Sequence, residues 1–112
     1  MSFRLAEAIR IGSKEVPQCA GFVFYDRDGK IASACALGAA AIVIGALVDY
    51  KSCESLAAYN ALRDAFPELT AHRSPPPSAP FLQNWTLLNQ IIWLNDCTDW
   101  TREQIADWVE SL

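Results

Sequence analysis

From Ile31 to Val48 the chain runs for 18 residues without a charged side chain, and no other feature limits its fold as tightly. A run of this kind has to leave water, either in a bilayer or in a protein interior. Its length sits at the lower limit for a membrane-spanning helix. It is rich in alanine, which contributes little to insertion, and it begins inside a predicted hairpin strand, so its helical part is too short to span. The run therefore predicts a central helix buried on most sides, entered through Cys35-Ala-Leu-Gly-Ala-Ala-Ala-Ile-Val-Ile-Gly45. Ser33 is its expected cap, Gly38 and Gly45 are expected to let neighbours approach closely, and Asp49-Tyr-Lys-Ser52 is the connection that follows.

A helix apolar all round needs other elements to cover it, and 112 residues with four Trp, five Phe and three Tyr suffice for one domain spanning 1–112. The first cover is a helix from Ser2 to about Ile11, with Leu5, Ile9 and Phe3 on its inner side and Gly12-Ser13 ending it. Gly21–Tyr25 and Lys30–Ser33 flank the Asp/Gly-rich turn Asp26-Arg-Asp-Gly29 and read as a β-hairpin, which must pack on helices to be stable. A third helix is predicted over Cys53–Phe66, where Ala58, Tyr59, Leu62, Ala65 and Phe66 recur at helical spacing and Pro67 stops it. The prolines of Thr70–Pro80 predict an extended surface loop. A fourth helix is expected over Asn84–Leu94, closed by Asn95-Asp96. Thr101-Arg-Glu-Gln104 is a capping box that opens a last helix with Ile105, Trp108, Val109 and Leu112 inward. The expected fold is mainly α (α+β): four to five helices around the Ala/Gly-rich central helix, with one small hairpin.

Charge and cysteine usage exclude several function classes. Nine Lys plus Arg, no two adjacent, on a chain of net charge -4 give no basic stripe for a phosphate backbone, so no direct nucleic-acid binding is expected. Cys19, Cys35, Cys53 and Cys97 match neither Cys-x-x-Cys zinc spacing nor a disulfide scaffold. They read as reduced thiols of a cytoplasmic protein without membrane association. The N-terminal stretch alternates charged with apolar residues and lacks the apolar core of a secretory signal.

Two stretches, Ser33-Ala-Cys-Ala-Leu-Gly-Ala-Ala40 and Leu94-Asn-Asp-Cys-Thr-Asp-Trp-Thr-Arg-Glu-Gln-Ile-Ala-Asp-Trp-Val-Glu110, resemble a group of small uncharacterised bacterial and phage proteins. The resemblance is close over about a quarter of the chain and carries no biochemical activity with it. It implies that relatives staple the corner before the fourth helix with a structural zinc, using a Cys-Pro-x-Cys and nearby histidines. Here Ser74-Pro-Pro-Pro-Ser78 stands in that place, Trp93 precedes Leu94-Asn-Asp, and Thr98 follows where a histidine would be. No metal or other cofactor is expected. Trp93 and the prolines are expected to replace the metal by apolar packing and chain stiffness.

Few residues offer chemistry. His72 is the only histidine and lies in the proline-rich loop, where a base lacks a held partner. Cys35, at a helix start, would feel the N-terminal dipole and become a reactive thiol if exposed; buried, it is a core residue. Asn95, Asp96 and Asp99 cluster before the capping box as turn formers or, alternatively, as an acid/base group. Asp99, Glu103, Asp107 and Glu110 form an acidic stripe on the last helix, interrupted only by Arg102, and serve either as a solvated face or as a dock for a basic partner. Trp85, Trp93 and Trp100 are core anchors or an aromatic contact patch. These features predict a non-catalytic protein-interaction or regulatory module with a protein partner. The alternatives are a small enzyme or redox protein using Cys35 or Asn95/Asp96/Asp99, and a structural homo-oligomer.

Overall fold

A computed structural model describes residues 3–46 and 55–112. Among the described residues the fold is mainly α, with five α-helices and a two-stranded antiparallel hairpin. The order is α1 (Phe3–Ser13), β1 (Val23–Tyr25), β2 (Ile31–Ala34), α2 (Ala36–Val43), α3 (Ser55–Ala65), α4 (Leu87–Cys97) and α5 (Arg102–Ser111). Single 3-10 turns at Pro67–Thr70 and Pro80–Leu82 lie between α3 and α4. The expected cap at Ser2, the connection at 49–52 and the start of the third helix at Cys53 lie outside the described residues.

The uncharged run is divided three ways. Its first residues form β2, Cys35 caps α2, and α2 ends after two turns in a Schellman motif with Gly45 at φ +70°. There Ala46 N–H donates to Ala41 O (3.0 Å) and Gly45 N–H to Ile42 O (3.2 Å). No helix of the described residues is long and apolar enough to cross a membrane. Ala36 through Ala41 are all buried, so α2 is the centre of the core, as its lack of a polar face requires.

Two glycines let the neighbours close on α2. A Cβ at Gly12 would stand 1.9 Å from Ala39 O, and one at Gly38 would stand 2.2 Å from Phe22 O. Gly45, expected to serve the same purpose, has open space around it; its use is the left-handed turn. Gly12 likewise lies within α1, not beyond its end. Leu5, Ala8, Ile9 and Gly12 line the buried side of α1, whereas Phe3, expected inward, is 51% exposed.

The hairpin turn forms where the Asp/Gly signal puts it. Asp26 Oδ1 accepts from the N–H groups of Asp28 and Lys30, and Gly29 takes φ +78°. Val23 pairs with Ala34 and Tyr25 with Ile31, and residues 17–19 pair with the far side of β2 through Ala34.

Helix α4 starts and ends three residues later than expected. Thr86 is the cap, accepting from Asn89 N–H at 3.4 Å. Asn95 and Asp96 lie inside the helix, because their side chains find partners in other elements instead of competing for the local backbone. The capping box of α5 forms in full: Thr101 Oγ1 accepts from Gln104 N–H (3.1 Å), and Gln104 Oε1 accepts from Thr101 N–H (2.8 Å). Ile105 and Val109 are fully buried, while Trp108 and Leu112 are half-buried against the same core.

Candidate functional site

Three groupings of polar and aromatic side chains emerge from this packing. The first is a joint at the N-terminus of α2. Asn95, 5% exposed, uses its whole carboxamide there: Oδ1 accepts from Ala36 N–H (3.1 Å) and Gln18 Nε2 (3.0 Å), and Nδ2 donates to Cys19 O (2.8 Å) and Asp96 Oδ1 (2.8 Å). Gln18 Nε2 also donates to Trp100 O, and its Oε1 accepts from Arg102 N–H. Arg102 is buried, and its guanidinium donates to the carbonyls of Ala34, Ser13 and Val16. Removing this cation from water lowers its pKa, and the carbonyls at the end of α1 provide the negative end of a helix dipole in return. Arg102 was expected on the solvent side, breaking the acidic stripe; the fold turns it inward.

Cys35 belongs to the same joint. Its Sγ accepts from Gly38 N–H at 3.3 Å, so the sulfur is the N-cap that Ser33 was expected to supply. The residue is 2% exposed, and burial pushes the thiol up to about 11 although amides of α2 pull the other way. The helix dipole favours a thiolate here, but desolvation outweighs it. The reactive-thiol expectation is corrected accordingly: this is a packed, protonated cysteine. Nor do Asn95, Asp96 and Asp99 form one acid/base group, since Asn95 is saturated inside the joint and Asp96 Oδ1 accepts from Gly21 N–H at 3.0 Å.

The second grouping is the acidic side of α5. Arg10 of α1 reaches across to it, with Nη2 at 2.6 Å from Asp107, Nη1 at 2.9 Å from Glu110 and Nε at 3.2 Å from Glu103. Its hydrogen bonds to these carboxylates, Glu110 and Asp107 first, hold the Arg10 guanidinium well above its usual range, so it stays charged. Three of the four stripe residues thus clasp α1, and Asp99 stands apart and exposed. Trp100 packs edge-on against Trp108, with ring centroids 6.4 Å apart.

The third is a cleft of about 520 Å³ between α4 and the proline-rich loop. The ends of that loop are tied together: His72 bridges Thr86 in antiparallel fashion and Leu87 N–H donates to Ala71 O at 2.8 Å. Buried Pro76, Ala79 and Leu82 anchor its middle, and fully buried Gln90 donates from Nε2 to Arg73 O (2.8 Å) and Leu82 O (2.9 Å). Gln90 Oε1 and Arg73 Nε are buried with no partner among the described residues, so this neck is less completely satisfied than the joint at Asn95.

His72, Asn84, Trp85 and Thr86 form one wall of the cleft, and Asn89, Ile92, Trp93, Asp96 and Cys97 the other. The second wall is a single helical face, spaced i, i+3, i+4, i+7, i+8, opposite the core face of α4. Phe81, 57% exposed, stands edge-on to both Trp93 (4.8 Å) and Trp85 (6.5 Å), giving three aromatic rings a set orientation. Among the described residues neither His72 nor Cys97 has a hydrogen bond to a group that would orient it as base or nucleophile, and no set of three or more His, Cys, Asp and Glu can hold a metal ion.

Of the expected contact residues, Trp85 and Trp93 line this cleft, whereas Trp100 and the acidic stripe do not. Asn84, Thr86, Asn89 and Ile92 were missed, although the second partly apolar face of α4 is readable in the spacing once the helix frame is known. No family model matches the chain, and neither a curated protein nor a solved structure matches it.

Proposed function

We propose that the protein is a non-catalytic protein-interaction module that takes a short segment of a partner protein into the cleft between α4 and the proline-rich loop. The observation carrying this reading is the cleft itself: two Trp and an Ile for apolar contact, with the carboxamides of Asn84 and Asn89 to orient a backbone. A set of three oriented aromatic rings, two of them substantially exposed, is what the centre of an interaction surface usually offers. The acidic stripe is less suited to that role, because Arg10 already occupies three of its carboxylates. We place the protein in the cytoplasm of a bacterial or phage-infected cell. Supporting this are the free thiols of Cys19, Cys35 and Cys97 and the resemblance of its two stretches to small bacterial and phage proteins.

The test is panning of a random peptide library against the full chain. Enriched peptides should bind the native protein and Glu103→Lys alike, and should lose at least roughly tenfold in affinity to Asn89→Tyr, which fills the cleft from an exposed position. Peptides indifferent to Asn89→Tyr, or no enrichment at all, would overturn the reading. Peptides lost only with Glu103→Lys would move the contact surface to α5.

A further inference from the structure

We infer that the group recognised in this cleft is a cationic side chain, a lysine or arginine next to an apolar residue in the partner segment. The inference rests on the cleft being the contact site and adds what it selects. Its lining contains no Lys or Arg, and its one carboxylate is that of Asp96. That carboxylate is exposed yet held in place: Oδ1 accepts from Gly21 N–H at 3.0 Å and from Asn95 Nδ2 at 2.8 Å. Because Asn95 is itself anchored to α2 and to Cys19 O, the carboxylate is oriented by a fully bonded carboxamide. Among the described residues no basic side chain pairs with Asp96; the ion pairs there belong to Arg10.

The aromatic rings point to the same ligand. A cation over an indole face is attracted by the ring quadrupole, and Trp is the best such partner. Among the described residues the internal cation–π contact is Arg4 over Phe66, neither of which lines the cleft, so Trp85 and Trp93 serve no cation of the described residues. A lysine or arginine entering the cleft would lay its apolar stem along Ile92 and the indoles and bring its head towards Asp96. The amides and hydroxyl of Asn84, Asn89 and Thr86 offer a neutral polar rim that does not compete for the charge. An anionic or purely apolar segment would leave Asp96 opposed or unused, and the net charge of -4 favours approach of cations over anions.

The experiment uses the peptides enriched on the full chain, measured by fluorescence anisotropy. Three changes are compared: Lys or Arg→norleucine in the peptide, Asp96→Asn, and Trp85→Leu at an exposed ring. Asp96→Asn keeps an oxygen for Gly21 N–H, so an unchanged melting temperature should accompany it. Expected are enrichment of a basic residue, roughly tenfold weaker binding for each change, and no further loss when the peptide change is combined with Asp96→Asn. Peptides that lose affinity to Asn89→Tyr but ignore Asp96→Asn and the norleucine change would overturn this inference while leaving the cleft as the contact site. Peptides that ignore Asn89→Tyr would overturn both.

Discussion

At Cys35 a helix N-terminus and an apolar core make opposite demands on one thiol, and the core prevails. Alkylation of the native protein with iodoacetamide, read by mass spectrometry, should modify exposed Cys97 and leave Cys35 untouched until the chain is unfolded. The raised thiol also gives stability a pH dependence. The unfolded chain releases this proton near its ordinary value of 9, whereas the folded chain keeps it to about 11. Between those values the native state binds more protons than the unfolded state, so stability falls as pH rises through that window, by about 3 kcal/mol in all. Tyr59, which burial pushes up to about 12, adds a fall of the same sign at higher pH. Urea denaturation at about pH 8 and about pH 10.5 should show a smaller loss for Cys35→Ser than for the native chain. Asn95 is the other residue whose environment decides its role. Asn95→Ala would strand Ala36 N–H and Cys19 O and should cost about 2–4 kcal/mol, measured as a lower urea midpoint at unchanged slope. That Asn95 and Asp96 would do something at this corner was legible in the sequence; that they sit within a helix was not, since an Asn-Asp pair reads equally as a stop when its partners are dozens of residues away.

Among the elements, α2 holds the fold together by being small-sided where others touch it. Gly12→Ala and Gly38→Ala each drive a methyl into backbone, at Ala39 and Phe22, and neither backbone can yield cheaply. Each should destabilise by about 2–3 kcal/mol or more, whereas Gly45→Ala, with open space but φ +70°, should cost only about 1 kcal/mol. Thermal melts of the three variants would expose a mistaken packing if Gly45→Ala proved the most damaging. The hairpin and α5 were legible because their determinants are local: an Asp/Gly turn in one case, a four-residue capping box in the other. The frame of α4 was not. Thr86 and Asn84 are both acceptable caps by composition, and the choice is made by Ala71, whose carbonyl takes the N–H of Leu87 and so sets where the helix can begin.

Over the whole molecule, the first and last helices are tied by a single arginine. Arg10 bridges α1 to three carboxylates of α5 over 93 to 100 residues of sequence, in a largely exposed setting. Such contacts are screened by salt, whose Debye length is about 10 Å at 0.1 M. Arg10→Gln should therefore lower the melting temperature at low ionic strength, and the gap to the native chain should close towards about 1 M NaCl. An equal gap in both would mean the clasp works by packing and not by charge. The clasp engages three carboxylates of α5, whereas Asp96 in the cleft has no basic partner among the described residues.

The amino-acid sequence by itself determined the element types, the buried central helix, the hairpin turn before it and the capping box of α5, because these follow from periodicity and short-range hydrogen bonds within a few residues. Only the tertiary structure decided that Arg102 turns inward to three carbonyls, that Cys35 is protonated by burial, that Arg10 gathers the acidic stripe, and that Trp85, Trp93 and Asp96 share one cleft. Each of those depends on which elements meet, and the meeting is set by contacts between residues far apart in the chain, such as Gly12 with Ala39 and Asn95 with Ala36, that no local pattern encodes.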